Sequence, residues 1–290
     1  MACGIAEDRK VRRRVIRGLR KQVQSPTLKS KGELAEMRRA GRLEHRILER
    51  MATMAVPGVT TAEMNAVAEQ MIAEAGAEPL FKGQKHAQAR FPFPTALCTS
   101  VNDEVVHGIP SDRTLAPGDI VSVDCGVRLN GFCGDAAVTF AIGEIGARTR
   151  RLLEVTHAAL DLAIREMRPG RWWSEIAASM QALVETAGFS VVREFVGHGI
   201  GREMHEEPKV PNYVARGRRR EDFLLKPGMT LAVEPMVTMG AGGVQYKDNS
   251  GWPVVTRDGS RAAHFEHTLA VTATGVEVLT GGAEDGTETG

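Results

Sequence analysis

The sequence predicts an α+β fold of two pseudo-symmetric helix–helix–strand halves, whose strands form a curved antiparallel sheet backed by helices. Three observations predict it. The segments "LAPGDIVSVD" (115–124) and "LKPGMTLAVE" (225–234) are alternating apolar runs with Pro-Gly at matching places, and each closes on an acid. Helical patterns stopped by Pro57-Gly58 and by Pro169-Gly170 are each followed by a second helical pattern. Aligning those pairs also superposes Glu63 on Glu175 and Ala75-Gly76 on Ala187-Gly188. The offset is 112 for the helices and 110 for the strands, so two independent matches point to one internal duplication. Two copies of one unit pair most economically about a pseudo-two-fold axis, which sets the two acid-closed strands opposite each other.

Along the chain, residues 9–21, "RKVRRRVIRGLRK", carry eight basic side chains with apolar residues at helical spacing. This basic amphipathic segment could touch RNA, with the ribosome as partner; a solvated extension is the plainer reading and the preferred one. Residues 1–27 are set apart as a basic N-terminal extension, 28–280 as a single domain with halves 28–145 and 146–280, and 281–290 as a flexible tail. Helices are expected over 32–54, 61–76, 149–167 and 174–188. Thr60 and Glu63 have capping-box spacing, and Gly76 and Gly188 are C-terminal stops. The basic loop "RGRRRED" (216–222) reads as a solvated surface loop.

Composition narrows the class. Of 290 residues, 42% are hydrophobic and 25% charged, ordinary for a chain with a sizeable core. A net charge of +1 gives no global argument for nucleic acid or membrane. The four cysteines, Cys3, Cys98, Cys125 and Cys133, form no C-x-x-C pair, so structural disulfides are not expected. No apolar stretch is long enough for a membrane helix, and the N-terminus has no signal core. The expectation is a cytoplasmic monomer.

Asn130-Gly131 between two alternating runs predicts a two-residue hairpin turn. That turn sets Gly126 opposite Asp135 and Asp124 opposite Ala137, so Asp124 and Asp135 share one face as diagonal neighbours. The opposite face carries Val121, Val123, Cys125, Ala136, Val138 and Phe140 and is built to bury against helices. Two carboxylates so close stay ionised only with cations between them. The second half adds Glu234, Glu266 in the alternating strand "AAHFEHTLAV", and His198 and His205 in "FVGHGIGREMHEEP". Any one of these alone is ordinary. Four carboxylates with an imidazole, gathered by a duplication, suit a two-metal site of hard divalent ions.

These residues resemble the methionine aminopeptidases of the pita-bread fold, from about residue 28 to 280. The ordered motifs are Asp124, Asp135, "GHGIG" with His198, "EP" with Glu234 and "EHT" with Glu266. The resemblance implies two divalent ions (Co, Mn, Fe, Zn or Ni) held by these five residues, Asp135 and Glu266 bridging. It implies that His107 in "VVHGIP" and His205 stand beside the substrate, with Glu234 as proton shuttle. Phe93, Cys98, Met204 and Trp252 match the methionine pocket, although Met204 stands where Phe is frequent. The short spacing from His205 to Glu234 is similar to the type I enzymes. The activity so implied is removal of N-terminal methionine from nascent chains, with a small second residue preferred. The rival readings are an Xaa-Pro aminopeptidase or prolidase and a non-catalytic ribosome-binding homologue.

Overall fold

The computed structural model describes residues 26–214 and 222–282. The basic run at 9–21, most of the 216–222 loop and the end of the tail lie outside them. Among the described residues four helices and fifteen strands follow one another. Helices α1 (Lys31–Met54) and α2 (Thr61–Glu74) come first. Then come β1 (Glu78–Pro79), β2 (Leu97–Val101), β3 (Glu104–Val106), β4 (Ile120–Leu129) and β5 (Phe132–Ala141). Helices α3 (Ala147–Glu166) and α4 (Trp173–Thr186) open the second part. It continues with β6 (Ser190–Val191), β7 (Gly197–Gly199), β8 (Glu206–Val210), β9 (Thr230–Val233) and β10 (Met236–Thr238). Last are β11 (Val244–Tyr246), β12 (Val254–Thr256), β13 (Ala262–His264), β14 (His267–Val271) and β15 (Val276–Val278).

Helices α1 and α2 start where the sequence supplies caps. Ser30 with Glu33, and Thr60 with Glu63, each form a reciprocal capping box at the starts of α1 and α2. Helix α4 begins instead at Trp172, which offers no side-chain cap; Ser174 bonds to Asp222 at 2.6 Å. Along α1, Met37, Ala40, Leu43, Ile47, Leu48 and Met51 recur at helical spacing and are buried. Each large apolar side chain among them contributes about 1.5–3 kcal/mol on leaving water. For all of them but Met37 the partners are Val121, Val123, Cys125, Val127 and Ala136, the helix-facing side of the β4–β5 hairpin. Gly41 and Gly134 let helix and hairpin approach closely: a Cβ on Gly134 would lie 3.0 Å from the Gly41 nitrogen. The second helix pair packs likewise, with Leu152, Leu160, Trp173, Ile176 and Met180 against Leu231, Val233 and Leu269.

All strand pairs are antiparallel. One sheet runs β1-β4-β2 with β5 on β4, and the largest runs β15-β14-β9-β7-β8. The hairpin tip is as the dipeptide predicts: Asn130 and Gly131 take φ of 52° and 77°, and Gly126 pairs with Asp135 while Asp124 pairs with Ala137. Strand β4 runs on past Asp124 to Leu129, as that turn requires, with Gly126 and Val127 still paired with β5. One detail differs from the sequence reading. The segment "AAHFEHTLAV" is two strands rather than one, since residues 262–264 pair with β10 and 267–270 with β9. The break between them puts Glu266 in an isolated bridge to Ala137 of the hairpin. No described helix is long and apolar enough to cross a membrane.

Candidate metal centre

The two sheets meet at that bridge, and the acids converge there. The Glu266 N–H donates to the Ala137 carbonyl at 2.9 Å. Two residues farther along each strand, the Asp135 N–H donates to Thr268 Oγ1 at 3.0 Å, and the Thr268 hydroxyl donates to the Asp135 carbonyl at 2.8 Å. The backbones carrying Asp135 and Glu266 are thus fixed to each other across the seam. Gly126 faces Asp135 and leaves its carboxylate room. Asp124 projects beside it and pairs on its other side with Cys98 of β2.

His198 enters from β7, held between Ala232 of β9 and Lys209 of β8. Its Nδ1 lies 3.0 Å from the Gly199 carbonyl, an acceptor only, so the proton sits on Nδ1 and the Nε2 lone pair is free. That Nε2 lies 3.6 Å from Glu234 Oε1 and 4.0 Å from Asp135 Oδ2. Glu234 follows β9, where its carbonyl accepts from Asn212 Nδ2 at 2.9 Å. The groups Asp135–His198–Glu266 and Glu234–His264–Glu266 each offer ligand atoms within 4.8 Å of one another.

The electrostatics ask for cations. Burial pushes Asp124 up to about 7; burial and then the Asp124 charge push Glu234 up to about 8. Burial, followed by the neighbouring acids, drives Asp135 and Glu266 well above the carboxylate range. Burial and then His205 lower His198 to about 4, which keeps it neutral and able to bind a metal. Among the described residues, Asp124 Oδ1, Asp135 Oδ1 and Glu266 Oε1 are buried without a hydrogen-bond partner. Such orphaned acceptors are rare in native interiors. Carboxylate oxygens and neutral imidazole fit divalent cations, so the residues fit the group they would hold.

A cavity of about 500 Å³ opens above the acids. Phe93, Cys98 and Trp252 form one wall, with Phe93 edge-on to Trp252 at 5.0 Å. Met204 and Phe195 close it elsewhere. His107 takes φ of 59°, rare for a residue with a side chain, and its ring is edge-on to Phe195 at 5.4 Å. Burial and then His86 lower it to about 4. The His205 ring lies 4.4 Å from that of His198. The eleven residues singled out in the sequence, Asp124, Asp135, His198, Glu234, Glu266, His107, His205, Phe93, Cys98, Met204 and Trp252, therefore line one cavity.

Three residues were missed. His86 stands 4.5 Å from Trp252 at the cavity rim, in a loop without periodicity to mark it. His264 is buried against Glu234 and Glu266, and its signal was present: it stands two residues before Glu266 in an alternating run. Glu44 is fully buried on α1 with neither oxygen hydrogen-bonded. It interrupts the apolar stripe of α1 in plain view.

A buried cluster of carboxylates and neutral imidazole below an apolar cavity defines a metal-dependent hydrolytic enzyme. The pattern of metallopeptidase family M24 matches residues 35–273. The chain belongs to that family. It is 45% identical over 253 residues to methionine aminopeptidase 1 of Bacillus subtilis, covering 87% of this chain and 98% of the relative. The crystal structure of methionine aminopeptidase from Thermotoga maritima superposes with a TM-score of 0.83 at 40% identity, covering 88% of this chain and 99% of that one. An Xaa-Pro dipeptidase from Bacillus anthracis shares the fold at a TM-score of 0.67 and 22% identity, and the chain spans 63% of its length.

Proposed function

We propose that the chain is a methionine aminopeptidase that removes the first methionine of nascent proteins, using two divalent cations. The observation that carries this reading is the placing of an apolar, sulfur-tolerant cavity of about 500 Å³ directly over the acid cluster. Asp124, Asp135, His198, Glu234 and Glu266 would hold the cations. When bound, divalent cations polarise the scissile carbonyl and activate water for attack near neutral pH.

The chain's own residues do the rest. Phe93, Cys98, Met204 and Trp252 receive the methionine side chain, and Trp252 is held there by its Nε1 donating to the Phe91 carbonyl at 2.8 Å. The acids beside Asp124 attract the substrate's free α-ammonium, which restricts cleavage to the first residue. His107 orients the substrate backbone. His205 donates to the developing oxyanion or the scissile amide. Glu234 carries the proton from water to the leaving amine. A small second residue is preferred because a bulky one must fit between the acid floor and the rim.

The prolidase reading is weaker, because the likeness to the Xaa-Pro dipeptidase is one of fold only. The cytoplasm is the compartment in which this substrate emerges. Metal analysis with cleavage of Met-Ala-Ser and of an Xaa-Pro peptide tests the reading. Metal-dependent turnover of the first and not the second supports it; the reverse refutes it.

A further inference from the structure

We propose that His264 holds a divalent cation together with Glu234 and Glu266, so that the centre presents two imidazoles instead of one. This rests on the metallopeptidase reading and goes beyond its five-residue ligand set. His264 Nε2 lies 3.6 Å from Glu266 Oε2 and 3.8 Å from Glu234 Oε2. His198 Nε2 lies 3.6 and 4.0 Å from its two carboxylates. The two rings therefore meet the acid cluster in the same way, from different sheets.

Neither contact of His264 is a hydrogen bond, since both exceed its range. They match the roughly 3–4 Å that separates two donor atoms when each lies about 2.1 Å from one shared ion. The residue is 1% exposed, and Nε2 is buried without a partner among the described residues. The backbone that carries the ring is also held in place. The His264 N–H donates to Thr139 Oγ1 at 2.9 Å, the Thr139 hydroxyl donates to the His264 carbonyl at 2.7 Å, and His264 pairs with Met236 of β10. Met236 stands two residues after Glu234, so one ladder fixes the imidazole and the carboxylate relative to each other. Glu266 belongs to both candidate groups and joins them.

X-ray absorption at the metal edge of the full chain, loaded with two equivalents of Co(II), tests this directly. The wild type should show scattering from two imidazoles per pair of ions, and His264→Gln from one. Calorimetric titration of His264→Gln with Co(II) should show one binding step weakened about 10- to 100-fold. His205→Gln should keep both rings, which excludes His205 as the second. One imidazole in the wild type, or an unchanged count and affinity in His264→Gln, overturns the assignment and leaves the metallopeptidase reading standing. A wild type that takes up no cation overturns both. Should His264→Gln fail to fold, as judged by far-UV circular dichroism, the wild-type and His205→Gln spectra decide.

Discussion

Gly126 lies directly across the β4–β5 ladder from Asp135, and a Cβ there would sit 3.2 Å from Asp135 Oδ1. That spacing is tight, so a side chain at 126 must displace either the carboxylate or Leu80, whose Cβ is equally near. Gly126→Ala should leave the hairpin folded but weaken metal binding about 10-fold, as changes next to ligands do. Equilibrium dialysis against Co(II), alongside urea unfolding, checks it; unchanged metal affinity would contradict the steric argument.

Asp135→Ala removes a carboxylate that both sheets position. Turnover of Met-Ala-Ser should fall to background, and metal content should drop by at least one equivalent. Elemental analysis and the peptide assay together decide, and full activity in this variant would refute the ligand assignment.

His205→Ala should act on the chemistry and spare the metal. The loss of one donor to a developing oxyanion predicts a kcat lower by about 100- to 1,000-fold. Metal content should remain at the wild-type level. Loss of cations from this variant would show that His205 belongs among the ligands.

Stability of the metal-free protein should fall as pH rises. Asp124 and Glu234 titrate near about 7 and about 8 in the fold, against ordinary values of 3.8 and 4.5. Between roughly pH 4 and 8 the native state therefore holds protons that the unfolded chain has released, and this contribution is lost as pH climbs through that window. Cations replace those protons. The rise in Tm on adding Mn(II) should thus be larger at pH 8 than at pH 5, and an equal rise at both values would be incompatible with the coupling.

Glu44 should weaken the protein at neutral pH. Its carboxyl is fully buried and unpaired; burial, then the Asp124 charge, raises its pKa well above the usual range. Glu44→Met should stabilise the protein by about 1–3 kcal/mol at pH 7, the cost of an unsatisfied buried polar group. The gain should shrink below about pH 4.5, where the unfolded chain also keeps the proton. Urea midpoints at two pH values measure this.

How much of this was legible in the sequence varied with the kind of signal. Asn130-Gly131 fixed a register, and register alone placed Asp124 and Asp135 on one face, because side-chain alternation leaves no freedom once the turn is known. Pro-Gly pairs told where helices stop. The break at Phe265-Glu266 was hidden, since an alternating pattern reads the same whether a strand stays in one sheet or passes to another. His264 was passed over because a histidine two residues from an acid is common, and only the crossing of the two sheets gives it carboxylate neighbours. Glu44 was visible as a flaw in an apolar stripe, but its depth depends on how closely Gly41 and Gly134 let the helix settle. The rim loop with His86 has no period at all, so its shape was beyond pattern reading.

The bridge between Ala137 and Glu266 ties together parts of the chain made far apart in time. Asp124 and Asp135 are made more than 130 residues before Glu266. A newborn copy can thus fold its leading helices and hairpin while still chemically inert. Competence arrives only once Glu266 has been made and has docked on Ala137, so a product cut short before it would be harmless to the proteins around it.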